Sequence, residues 1–178
     1  MKKRVFVIIG VVLIIFLTII FSNGFKSYRV DDENIDKNEI TINYMKVEFN
    51  YDVFDVKEGI NNSNYIFTGK VMDYLGSYYN SNKDRYVYSK YLIKVNNVLK
   101  GELKEKVTIS KDGGYNKNNL YLFKEGDIVD NMLEVNKEYL FLAYNSEGKI
   151  RLIPLNGSIP LDNVDTIKSY EEEIEKIK

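Results

Sequence analysis

The sequence predicts a mainly β domain: a small five-stranded Greek-key barrel with a short helix before it and an amphipathic helix at its C-terminus, preceded by one transmembrane helix. Three observations carry that expectation. Runs of alternating apolar residues recur between turns rich in Gly, Asn and Asp. The 178 residues are enough for one domain with a core but not comfortably for two. The N-terminus opens on a basic cap followed by an unbroken apolar stretch. A two-sheet sandwich and an open α+β sheet share the same strand pattern and remain open.

Residues 1–4, Met1-Lys2-Lys3-Arg4, form the expected cytoplasmic stub, and residues 5–21 are apolar apart from Gly10 and Thr18. As a helix, that stretch spans roughly 25 Å, at the short end of what a bilayer core requires. Two readings fit: an uncleaved anchor, or a signal peptide that would leave the remainder secreted. The anchor is favoured because the apolar run is long and no A-x-A site follows it. Lys2, Lys3 and Arg4 before the span and Asp31, Asp32, Glu33 and Asp36 after it place the N-terminus inside and the C-terminal domain outside the cell membrane. Without Lys2, Lys3 and Arg4 the chain keeps 22 basic and 26 acidic residues, a formal charge of −4. A mildly acidic exterior is a poor nucleic-acid binder, so no nucleic-acid partner is expected.

Residues 22–41 are polar and charged and read as a tether, with the extracellular domain over 42–178. Asp55-Val56-Lys57-Glu58 has capping-box form and predicts a helix of about two turns, stopped by Asn61-Asn62-Ser63-Asn64. Tyr65 to Met72 alternates, with Phe67 and Val71 on one face, and Gly69 on that same face predicts a bulge or bend. After a polar loop over 79–84, the strand from Tyr86 to Val98 is the clearest in the chain. It puts Val87, Ser89, Tyr91, Ile93 and Val95 on one side and Tyr88, Lys90, Lys94 and Asn96 on the other. Val107 to Ser110 is a third strand, stopped by Asp112-Gly113-Gly114. Within 115–137, Leu120 to Phe123 fits either strand or core-filling loop, and Ile128 to Leu133 fits a helical turn. Glu138 to Tyr144 and Lys149 to Ile153 form a hairpin over Asn145-Ser146-Glu147-Gly148, and Pro154 stops it. Val164, Ile167, Ile174 and Ile177 predict the apolar stripe of the last helix.

The segments Tyr65-Ile-Phe-Thr-Gly69-Lys-Val71, Tyr91-Leu-Ile-Lys-Val-Asn-Asn-Val98-Leu-Lys-Gly101 and Val135-Asn-Lys-Glu-Tyr139-Leu-Phe-Leu142 resemble the netrin-like modules. These are OB-type barrels shared by tissue inhibitors of metalloproteinases and by bacterial surface proteins. The match covers about residues 55 to 155 and implies an OB-type barrel. It transfers no functional residue: those inhibitors chelate zinc through an N-terminal cysteine, and this chain has none. Asn136 stands where the pattern has glycine, a position at which Asn is the next best tolerated residue.

With no His and no Cys, the usual general base, zinc ligands, thiol nucleophile and Ser-His-Asp triad are all missing. The expectation is a protein that is not an enzyme and carries no metal or cofactor. A carboxylate-dependent hydrolase is the weakest of the readings entertained, since no acid pair stands out. Ser89 and Lys90 fall on opposite sides of a strand and cannot form a dyad. Asn80, Asn82 and Asp84 alternate like calcium ligands but lack the glycine and the glutamate that such a loop needs.

The candidate ligand-binding residues are Tyr74, Tyr78, Tyr79, Tyr86 and Tyr88, which with Tyr91 bracket the loop between the first two long strands. Tyrosine offers a flat apolar face and a hydroxyl at low entropic cost, suiting a peptide, protein or cell-wall glycan partner. The plainer account is that tyrosine is a good strand former in a chain already rich in Asn, Lys, Ile and Tyr. The expected partners are therefore the membrane, through residues 5–21, and one such ligand; the alternative role is a non-catalytic assembly subunit of a membrane complex.

Overall fold

The computed structural model describes residues 27–29, 39–46, 48–80 and 86–176. The apolar segment 5–21, most of the tether, the tip of the loop after residue 80 and Ile177 lie outside the described residues. Among the described residues no helix is long and apolar enough to cross a membrane.

The chain is mainly β. Strands β1 (Ser27–Arg29) and β2 (Thr41–Met45) precede helix α1 (Val56–Asn61). Then come β3 (Tyr65–Asn80), β4 (Tyr86–Lys100), β5 (Lys106–Asp112), β6 (Gly114–Asn116), β7 (Asn119–Glu125) and β8 (Ile128–Asp130). The chain ends with β9 (Glu138–Ser146), β10 (Lys149–Leu152), β11 (Ser158–Pro160) and α2 (Val164–Lys176). Five of the strands pair in the order β3-β4-β5-β10-β9, and β9 returns to pair with β3, so the sheet closes into a ring. Every pairing in it is antiparallel except β5 with β10. β1 extends the edge of β3 beyond β9, and β11 flanks β9 below β10.

Residues 115–137 follow one of the two readings open for Leu120 to Phe123 and depart from the expectation at Ile128. Leu120 to Phe123 belongs to a strand, and Ile128 to Asp130 is a strand where a helical turn was expected. Together with β2 and β6 they make a second sheet in which β2 runs parallel to β7, a pairing between segments more than 70 residues apart. Asp112-Gly113-Gly114 is not a simple stop. β5 continues through Asp112 and the chain passes directly into β6, with Gly113 N–H donating to Val87 O (2.9 Å).

Alternation explains two cores. Inside the ring lie Phe67, Val71, Tyr91, Ile93, Ile109, Phe141 and Leu152, all buried. Outside it, Ile66, Leu140, Leu142, Phe123, Ile60, Tyr170 and Ile174 form a second cluster beneath the helices and the second sheet. β9 is buried on both faces, so Tyr139, Phe141 and Ala143 point inward while Leu140 and Leu142 point outward. This is why Tyr-Leu-Phe-Leu-Ala shows no polar alternation. Phe67 and Phe141 are register partners with ring centroids 5.1 Å apart.

Gly69 marks a bulge, as its mid-strand position predicts. The β3–β4 register shifts between Thr68 and Gly69, and a Cβ built there would lie 2.8 Å from both Ile93 Cγ2 and the Lys94 carbonyl oxygen. The backbone oxygen cannot be moved without disturbing the ladder. Gly69→Ala is expected to lower stability by about 1–3 kcal/mol in urea titrations, and a neutral result would mean that the close approach does not exist.

α1 opens as predicted, with Glu58 N–H donating to Asp55 Oδ1 (2.8 Å). The capping box is half formed: Glu58 carboxylate accepts from Asn62 Nδ2 (3.4 Å), while Asp55 N–H donates to Asp52 O (3.2 Å). α2 packs through Ile167 and Ile174 of the predicted stripe, with Tyr170 added to it and Val164 left out. Tyr170 and Ile174 are buried and Ile167 packs on the outer cluster, whereas Val164, at the first residue, is 67% exposed.

Candidate functional site

β3 and β4 continue past the pairing of β3 with β9 as an arm flanked by β1 on one edge and β5 on the other, and the predicted tyrosines sit along it. Tyr78 and Tyr88 are direct register partners, their rings stacked at 5.6 Å and 17°. Lys90 Nζ lies 3.9 Å from the Tyr78 ring centroid and 5.8 Å from that of Tyr88, a cation over two aromatic faces. All three side chains are half-buried, which leaves ring area for a ligand.

The other tyrosines do not join them. Tyr91 is fully buried inside the ring, and burial pushes its hydroxyl above the ordinary tyrosine range. Tyr74 is the register partner of Tyr91, with rings 5.4 Å apart, and its hydroxyl hydrogen-bonds Ser77 Oγ at 2.7 Å. Tyr79 follows Tyr78 and so takes the opposite side, across from Val87. Of Tyr86 the structure describes the strand position, paired with Asn80. The division follows from a register shift between Tyr74 and Gly76, with Gly76 at φ 101°. Without that bulge, Tyr74 and Tyr78 would share a face. With it, they part. Gly76 was the one signal in the sequence that could have warned of this.

Beneath the stacked pair lies a buried polar hub that sequence reading missed. Ser77 Oγ accepts from Tyr115 N–H (2.7 Å) and lies 3.4 Å from Ser89 Oγ, which donates to Gly113 O (2.9 Å). Gly114, at φ 143°, passes so close that a Cβ would overlap both serine hydroxyls. The hub docks β6, and with it the second sheet, onto the arm. Ser89 therefore faces the hub while Lys90 covers Tyr78 on the far side, in agreement with the expected lack of a dyad.

Two ion pairs complete the surroundings. Lys111 and Asp130 are in direct contact, 2% and 4% exposed, and Asp130 Oδ2 accepts from Leu155 N–H (2.9 Å). Arg151, partly exposed, donates from Nη2 to Oδ1 of the buried Asp112 at 2.7 Å. Burial raises the nearby Tyr144 hydroxyl above its ordinary range; Arg151 opposes the shift and Asp112 adds to it. Among the described residues no three acidic side chains gather as a metal site would need, and the Asn80, Asn82, Asp84 run falls largely outside them.

In comparison with known proteins, the chain matches no family model and no curated protein sequence.

Proposed function

We propose that the chain is a membrane-anchored extracellular binding module, built on an OB-type, netrin-like barrel, that recognises a peptide, protein or cell-wall glycan. The observation that carries the reading is the stacked Tyr78–Tyr88 pair under Lys90. It stands at the root of the loop joining the first two ring strands, a region where OB-type barrels bind their ligands. The ring order supports the barrel reading, since its third and fifth strands pair in parallel as in an OB-type Greek key. Two parallel aromatic faces suit sugar rings or planar peptide groups, and the lysine selects for a ligand with acidic or carbonyl groups. The basic N-terminus and the acidic residues beyond the apolar segment support an outside location. The barrel, lacking histidine and cysteine, binds and does not catalyse.

The test is capture of envelope proteins and of purified cell-wall material by the full chain in detergent, beside Tyr78→Ala/Tyr88→Ala. Losing both rings is expected to weaken binding about 10- to 100-fold, corresponding to ~1.4–2.8 kcal/mol. Equal binding by both proteins, at unchanged stability, would remove this face from consideration. A non-catalytic assembly subunit is the second reading. The observation favouring it is β2, paired with β7 alone among the described strands, with Ile42 and Tyr44 50% and 54% exposed. Stoichiometric co-purification with membrane proteins that is lost on Ile42→Asp/Tyr44→Asp would support it over the tyrosine face.

A further inference from the structure

The chain has no cysteine, so no disulfide ties its two sheets together. Beside the serine hub, they are linked by the side-chain contact of Lys111, at the end of β5, with Asp130, at the end of β8. Both groups are almost wholly buried. Lys111 stands across from Ser89 on the inner side of β5, the side that carries Ile109 into the interior cluster.

Described as ions, the pair is poorly served. An ammonium has three protons to place, and among the described residues Lys111 Nζ finds one acceptor, Asp130 Oδ1. Two N–H groups are then left in a site almost closed to solvent, and two charges are desolvated, a cost that direct contact alone can fail to offset. Moving one proton from nitrogen to oxygen removes both charges and leaves an amine lying against a carboxylic acid.

The acid is also held for attack. Its second oxygen, Oδ2, accepts from Leu155 N–H at 2.9 Å, a bond that polarises the carbonyl and would stabilise the oxyanion of a tetrahedral intermediate. Leu155 itself sits at φ 68°, a left-handed conformation unfavourable for leucine, and the fold holds it there with its N–H aimed at Asp130. Nucleophile, electrophile and oxyanion donor are thus positioned by three separate segments, and fixed proximity is worth many orders of magnitude in effective concentration.

From this arrangement we infer that Lys111 and Asp130 become joined by an amide bond between Nζ and Cγ. The amine lone pair attacks Cγ and the Cγ–Oδ1 bond breaks. Oδ1 leaves as water, carrying the acid proton and one of the two amine protons. The product is a secondary amide with one N–H, and Oδ2 becomes its carbonyl oxygen, still bonded to Leu155 N–H. Nothing is oxidised or reduced and no co-reactant is needed, so the bond forms in any redox compartment. It closes a covalent loop from residue 111 to residue 130, which fastens the second sheet to the ring as a disulfide would.

The decisive measurement is the intact mass of the full chain purified in detergent, followed by proteolysis and tandem mass spectrometry. The expected result is a chain lighter by one water than its sequence requires, with a branched peptide joining the Lys111 and Asp130 fragments. Asp112-Gly113 is a sequence that can lose water by cyclising on itself, so Lys111→Arg is the control: it keeps Asp112-Gly113 but cannot form the cross-link. Lys111→Arg and Asp130→Ala should both show the full mass. A native chain at full mass overturns the inference, as does a mass deficit that persists in Lys111→Arg. Should either variant fail to fold, the presence or absence of the branched peptide in the native chain decides the matter.

Discussion

Phe141→Ala is expected to destabilise the domain by about 3–5 kcal/mol, the range for emptying a large aromatic from a closed core. Phe141 is fully buried inside the ring, with its ring centroid 5.1 Å from Phe67 and 5.6 Å from Tyr139. Strands close around the vacated volume on all sides, so the site has little freedom to collapse. The measurement is a urea titration of wild type and variant, with the loss appearing in the midpoint and not in the slope. A loss below about 1 kcal/mol would mean that the ring interior is not packed as described. Phe67→Ala combined with Phe141→Ala should cost less than the sum of the two, because each change empties part of the same space.

Tyr170→Ala is expected to cost a similar ~3–5 kcal/mol, acting on the outer cluster and on α2. Tyr170 is fully buried where α2 meets α1 at Gly59, and its hydroxyl accepts from Asn156 Nδ2 at 2.8 Å. Tyr170→Phe separates the hydroxyl from the ring and should cost about 1 kcal/mol, since Asn156 Nδ2 keeps its bond to Val53 O.

The same residue predicts an alkaline transition. Burial, aided by the charge on Asp55 and opposed by the Asn156 bond, raises the Tyr170 hydroxyl from 10.0 to about 12. Above pH 10 the unfolded chain releases this proton while the native chain keeps it, so the unfolded state binds fewer protons and stability falls with rising pH. The contribution is fully present below pH 10 and disappears as the pH climbs toward about 12. Tyr91, buried inside the ring and shifted in the same direction, adds to the fall. Denaturation curves from neutral pH upward should show a shallower decline for Tyr170→Phe, and identical slopes would remove Tyr170 as a contributor.

Where a feature depends on residues close in the chain, the sequence alone was enough. The alternation from Val87 to Ile93, the cap at Asp55, the hairpin turn before Lys149 and the bulge at Gly69 all lie where local pattern and turn chemistry put them. Each is set by interactions within a few residues, or by the absence of a side chain at one position. The composition likewise ruled out histidine and thiol chemistry without any coordinates.

Tertiary structure decided everything that depends on a distant partner. Leu120 to Glu125 became a strand because β2, β6 and β8 were there to pair with β7. β9 is buried on both faces because helices and a second sheet cover the outside of the ring. Tyr88 and Tyr91 part by alternation along β4, but Tyr74 and Tyr78 separated because a one-residue shift at Gly76 reverses which face each later side chain of β3 takes, leaving Tyr78 beside Tyr88 outside and Tyr74 beside Tyr91 within. The contact of Lys111 with Asp130 had no sequence signal at all, since a lysine and an aspartate 19 positions apart in different strands meet only when the two sheets dock. A strand's periodicity is written in its own residues, but its partner, and the parity counted from its last bulge, are fixed by packing across the whole domain.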